Sequence, residues 1–241
     1  MAVAAAQGVP LAEVLARNDI WRGDGLAQAP LPGVPTGFAP LDAELPGGGW
    51  PRGGLVELLP ARQGLGEMSL VMPALARLSA EELSWVVCVA PPLPPYAPAW
   101  AAAGVALSRL LVTRATGGDA AWACARALDA DGVGALVAWL PGTDTATLRR
   151  LQLLAEKART LIFLFRPALA ARDASPAPLR IGIEAANDPG HLSLRLIKRR
   201  GGALDTPLEL ELARPAPAPH VVAGPAFSAD IARSLPATAI A

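Results

Sequence analysis

The chain has 241 residues, 21 Lys+Arg against 21 Asp+Glu, and 52% hydrophobic residues. That length suits one large domain, or one domain with tails, and a net charge of zero excludes a nucleic-acid binder that works through bulk positive charge. Only 17% of residues are charged, so little polar surface is available and apolar faces covered by partners are expected.

The start, Met1-Ala2-Val3-Ala4-Ala5-Ala6, has no basic region and is followed by Gly8 and Pro10. No secretory signal is expected, and the compartment is read as the cytoplasm. Residues 10–19 carry Leu11, Val14 and Leu15 at helical spacing, with Ile20 and Trp21 just beyond. These five are candidate partner-docking residues: the amphipathic helix either folds back on its own domain or docks on another subunit, including a second copy. A Gly/Pro-rich connector, Gly23 to Val34, separates it from the rest. The organisation read from the sequence is therefore 1–34 as helix and connector, 35–212 as core, and 213–241 as a Pro/Ala-rich flexible tail.

From Leu55 the pattern alternates apolar runs with amphipathic stretches. LVELL (55–59) precedes EMSLVMPALARL (67–78), WVVCVA (85–90) precedes APAWAAAG (97–104), and RLLVT (109–113) precedes GGDAAWACARALDA (117–130). ALVAWL (135–140), TDTATLRRLQLLAEKA (143–158) and TLIFLF (160–165) continue it. Unbroken apolar strands alternating with helices predict an α/β fold with a mostly parallel sheet covered on both faces. Leu179–Glu184, His191–Lys198 and Leu208–Leu212 instead alternate polar and apolar residues, which predicts half-exposed antiparallel strands at the C-terminal edge. The uncharged stretch 83–108 is broken by Pro91, Pro92, Pro94, Pro95 and Pro98, so no membrane span is expected.

A parallel sheet of this kind seats ligands at the loop after its first strand. That loop carries Arg62, Gly64, Gly66, Glu67 and Ser69. A phosphate-binding loop needs Lys and then Ser or Thr after its last glycine, for charge neutralisation and Mg²⁺. Here Glu67 and Met68 stand there and Ser69 comes one residue late, so no cofactor is expected and Arg62 is the sole local cation.

The stretch Thr36-Gly37-Phe38-Ala39-Pro40-Leu41-Asp42, followed by Leu45-Pro46-Gly47-Gly48-Gly49-Trp50-Pro51-Arg52-Gly53-Gly54-Leu55-Val56-Glu57-Leu58, resembles the opening of the RecA-type recombinase core. Trp85 to Val112, Gly118 to Leu128 and Leu192 to Gly201 extend the resemblance. It implies a RecA-like core in which the loop Lys falls on Glu67, the catalytic Glu on or beside Pro92, and the Walker B Asp on Trp139 or Leu140, with Asp144 the nearest acid beyond. On that alignment all three ATPase positions are lost together, and a non-enzymatic protein is expected.

Within that group, Leu15 to Gly23, Pro46 to Pro51 and Phe165-Arg166-Pro167 are similar to the ImuA family of translesion-synthesis-associated proteins, also described as SulA-related. The resemblance implies a cytoplasmic, nucleoid-associated accessory of the SOS response to DNA damage. Its implied partners are an ImuB-type Y-family polymerase homologue, the mutagenic DnaE2 polymerase and RecA. A SulA-like inhibitor of cell division and a RecA paralogue that binds nucleotide and single-stranded DNA are the alternatives.

Arg195, Lys198, Arg199 and Arg200 form the densest basic run; it reads either as a solvated strand end or as a patch for DNA or an acidic partner. Of six Trp, those at 85, 122 and 139 are read as packing, and Trp21 and Trp50 flank the glycine-rich segments. Cys88 and Cys124 sit in apolar runs and read as buried hydrophobes. Neither His191 nor His220 has acidic or thiol neighbours at ligand spacing, so no metal site is expected.

Overall fold

The computed structural model describes residues 32–200, 204 and 206–212. The expected N-terminal helix, with Leu11, Val14, Leu15, Ile20 and Trp21, and the tail from Ala213 with His220, lie outside them.

The chain enters through an antiparallel bridge between Val34 and Trp50. Between them the Thr36-to-Asp42 motif closes on itself: the Thr36 N–H donates to Asp42 Oδ1 at 2.8 Å, and the buried Thr36 hydroxyl accepts from Phe38 N–H at 3.0 Å. Gly37, at φ +86°, lies where a Cβ would meet the Pro73 ring, so only glycine fits the turn. Helix α1 (Ala39–Glu44) follows, with Pro40 in its first turn and Leu41 buried.

Eight strands form one sheet in the order β3-β2-β4-β5-β1-β6-β7-β8. They are β1 (Leu55–Pro60), β2 (Trp85–Val89), β3 (Leu110–Thr113), β4 (Val133–Trp139), β5 (Leu161–Phe165), β6 (Leu179–Ala185), β7 (His191–Lys198) and β8 (Leu208–Glu211). Strands β1 to β6 pair in parallel; β7 and β8 close the edge antiparallel. The α/β class and the mostly parallel sheet agree with the sequence reading, but the place of β6 corrects it. That strand pairs parallel with β1, and Arg180, the residue that made it look half-exposed, is buried because Glu57 faces it across the pair.

Helices lie on both faces. One face packs α2 (Met72–Ala76), α3 (Ala97–Ala102) and Trp50 against Val56, Leu58, Cys88, Val137 and Phe163, with the Trp50 and Phe163 rings edge to face at 5.1 Å. The other packs α4 (Gly118–Asp129) and α5 (Thr145–Ala158) against Leu55, Val87, Val89, Leu136 and Ile162. Gln152 of α5 stitches that layer to the start of β1: its Oε1 accepts the Leu55 N–H at 2.8 Å, and its Nε2 donates to Glu156 Oε1 at 2.8 Å. The stretch expected as one helix over 67–78 is three pieces: a 3₁₀ turn at Glu67–Leu70, then α2, then a π turn at Arg77–Glu81. Pro73 has no N–H for the Ser69 carbonyl, which breaks the α-ladder; further on, the Ser79 hydroxyl donates to the Leu75 carbonyl at 2.7 Å.

Trp122 is a second correction. It lies on the outward side of α4, 62% exposed, because Ala120, Cys124 and Leu128 take the sheet-facing stripe. The Arg126 guanidinium covers its ring at 5.8 Å. Among the described residues no helix is long and apolar enough to cross a membrane.

Candidate functional site

The C-terminal ends of β1, β4 and β5, with the segment after β2, surround a cleft of about 360 Å³ lined by Arg62, Glu67, Pro92, Trp139, Phe165 and Arg166. An adjoining cleft of about 650 Å³ continues toward β3 and is bordered by Arg114 and Asp144. The β1 loop borders the first cleft with Arg62, Gln63 and Glu67 and turns at Gly64 (φ +77°) and Gly66 (φ +92°). Its anion-binding capacity is turned inward, because the Glu67 carboxylate folds back and accepts the Gly64 N–H at 3.3 Å. Where a phosphate loop offers glycine amides to a ligand, this one supplies its own anion. The loop runs directly into the short 3₁₀ turn at Glu67–Leu70, which lacks the aligned amides of an α-helix N-terminus. Ser69 is half-buried and its N–H is bonded to the Gly66 carbonyl at 2.8 Å. Arg62 is exposed and makes no ion pair among the described residues.

The other strand ends are apolar. Trp139 and Phe165 stack at 5.0 Å with 12° between their planes. The residue after β2, Ala90, is at φ +53° and is followed by Pro91 and Pro92. An alanine in the left-handed region costs about 1 kcal/mol or more, and the turn carries no carboxylate. Asp144 caps α5, accepting the Thr147 N–H at 2.7 Å. The hydrogen bonds from Thr147, backbone first and hydroxyl second, hold its carboxyl below the usual carboxylate range.

Under this site lies a buried charge network that the sequence reading missed. Glu57, on β1, is fully buried; its Oε1 accepts from Arg166 Nη1 at 2.9 Å and its Oε2 from Arg180 Nε. Arg180 also donates to the carbonyls of Ala170 (2.6 Å) and Asp173 (3.1 Å), and Arg166 to that of Thr143 (3.1 Å). One carboxylate and two guanidiniums thus pin the loops that follow β4 and β5, where the cleft is walled. The Arg166 Nε–H is buried without a protein acceptor. The sequence signal was Glu57 itself, a charge inside the run LVELLP, which has to find a partner once buried.

The basic run is dispersed. Arg195 pairs with Glu184 across the β6–β7 ladder at 3.6 Å, Lys198 Nζ donates to the Ser175 carbonyl at 2.9 Å, and Arg199 pairs with Glu44 at 2.9 Å. Arg199 and Arg200 sit at the end of the sheet opposite the glycine loop, with Arg52, in a separate cleft of about 420 Å³. Cys88 and Cys124 lie on opposite faces of the sheet, both buried, and burial pushes each thiol from about 9.0 to about 12. No group of three or more His, Cys, Asp or Glu side chains gathers among the described residues. His191, at the start of β7, has a buried Nδ1 without a partner.

No protein-family model matches the sequence, and no curated protein matches it.

Proposed function

We propose that this chain is a RecA-like protein of the ImuA type. In this reading it is a non-catalytic accessory of SOS-induced mutagenic translesion synthesis that assembles with an ImuB-type polymerase subunit and the DnaE2 polymerase, and contacts RecA. The observation that carries the reading is the Glu67 carboxylate on the Gly64 amide. A loop that satisfies its own amide with its own anion repels a triphosphate instead of cradling it. The stacked Trp139–Phe165 pair and the Ala90-Pro91-Pro92 turn support it from the other strand ends, since neither offers a carboxylate for Mg²⁺ or for a nucleophilic water. The resemblance of Leu15 to Gly23, Pro46 to Pro51 and Phe165-Arg166-Pro167 to the ImuA family supplies the partners.

The test is capture of purified RecA, an ImuB-type polymerase and the tubulin-like division protein by the full chain, with and without ATP and single-stranded DNA. Capture of RecA or the polymerase that is indifferent to ATP supports the proposal. Capture of the division protein alone overturns it in favour of the SulA-like alternative, and capture that requires ATP overturns it in favour of a nucleotide-dependent RecA paralogue.

A further inference from the structure

We propose that the cleft at the N-terminal edge of the sheet is the seat of the chain's own N-terminal segment, with Ile20 and Trp21 against its proline-rich wall and Asp19 and Asp24 facing its arginines. The inference is independent of the functional reading above.

The cleft, about 420 Å³, has an apolar wall of Pro51, Pro176, Pro178 and Leu179 and a polar wall carrying Arg52, Arg199 and Arg200. Among the described residues of its lining three guanidiniums stand with one carboxylate, that of Glu156, and Glu156 accepts the Gln152 amide N–H. Arg52 is paired with Glu82 at 2.5 Å and Arg199 with Glu44, both acids outside the lining. Arg200 is exposed and makes no ion pair among the described residues. The chemistry calls for an occupant that is apolar at its centre and acidic at its flanks.

The path of the chain says which occupant that is. Gly33 N–H donates to the Gly47 carbonyl at 2.8 Å, and Val34 and Trp50 exchange hydrogen bonds of 2.8 and 2.7 Å. A Cβ on Gly49 would run into the Val34 carbonyl, so the incoming chain lies directly on Gly49, which itself lines the cleft. The N-terminal residues are therefore delivered to the cleft's rim. From Gly33 back to Asp24 is a span of about 30 Å when extended, ample to reach its arginines. Asp19 and Asp24 flank Ile20-Trp21 in the sequence, and with Arg22 they leave the stretch 18–26 at a net charge of −1. The C-terminal tail suits the arginines less, because residues 213–241 carry Arg214 and Arg233 against the one acid Asp230, a net charge of +1.

Both native thiols are buried, so in an Ile20→Cys chain the new thiol is the reactive probe for a disulfide reagent under native conditions. Docking predicts that its reaction speeds up about tenfold when Trp21→Ala is added, through loss of an aromatic anchor. Adding Arg200→Glu instead gives about threefold, through loss of a partly exposed ion pair. Combining Arg200→Glu with Asp24→Arg returns the rate to within about twofold of the starting chain, because the pair is restored with its signs exchanged. Equal rates in all four chains overturn the proposal, as does protection that ignores Arg200→Glu. Protection that fades on dilution together with a dimer in sedimentation also overturns it, assigning the cleft to a second copy.

Discussion

The Glu57 network gives the sharpest energetic prediction. Glu57→Gln keeps the shape of the side chain and removes its charge, leaving Arg180, 6% exposed, facing a neutral amide and Arg166, 4% exposed, with only the exposed Asp173 carboxylate at 3.5 Å. Removing one partner of a buried ion pair costs about 3–5 kcal/mol, because the remaining charge stays desolvated. Against a total stability of about 5–15 kcal/mol, that is a large fraction. At about 2–4 °C per kcal/mol for a domain of this size, Tm should fall by roughly 6–20 °C. Urea unfolding followed by tryptophan fluorescence, with calorimetry to check two-state behaviour, reads the loss. The triple replacement Glu57→Leu, Arg166→Leu, Arg180→Met should recover most of it, since an apolar cluster of similar volume carries no desolvated charge. A cost below about 1 kcal/mol for Glu57→Gln, or a triple variant no more stable than the single one, would refute the reasoning.

Gln152→Met leaves the Leu55 N–H buried without its acceptor, and urea unfolding should show a loss of about 1–3 kcal/mol. The thiols of Cys88 and Cys124 are raised from about 9.0 to about 12 in the fold. Their contribution is therefore intact below pH 9 and lost as pH rises from 9 toward 12, at up to about 1.4 kcal/mol per pH unit per thiol; replacing both by alanine should flatten that alkaline slope in unfolding curves. Asp144 has the opposite sign. Its carboxyl is lowered by the Thr147 hydrogen bonds, so its capping contribution is present above the ordinary Asp value and lost as pH falls through the lowered one; Asp144→Ala should remove that part of the acid sensitivity of Tm. Trp122→Ala, on the outward side of α4, should change stability by less than about 0.5 kcal/mol while reducing the fluorescence that iodide quenches.

Much of the fold was legible because the core strands are unbroken apolar runs. Val86, Cys88, Val137 and Phe163 on one face, and Val87, Leu136 and Ile162 on the other, are what a doubly covered parallel strand requires. The misreadings come from reading a residue's type without its surroundings, distant in one case and local in the other. Arg180 made β6 look half-exposed until Glu57, 123 positions earlier, neutralised it. Trp122 looked like core because tryptophan usually is, yet the helical stripe of Cys124 and Leu128 leaves it outside. At the strand ends, the missing Lys at position 67 was plain in the sequence. That Glu67 turns back onto Gly64 was not, since a side chain's direction depends on loop dihedrals that spacing does not encode.

The central claim, that the strand-end site does not process nucleotide, is tested most directly by phosphate release from Mg·ATP by the purified full chain, with and without single-stranded DNA. The account predicts release no faster than in buffer under both conditions, and no faster after Glu67→Ala. Release above the buffer rate that scales with protein concentration would contradict it, even well below the roughly 1–100 per second of ordinary kinases, since genuine nucleotide hydrolases can be slow.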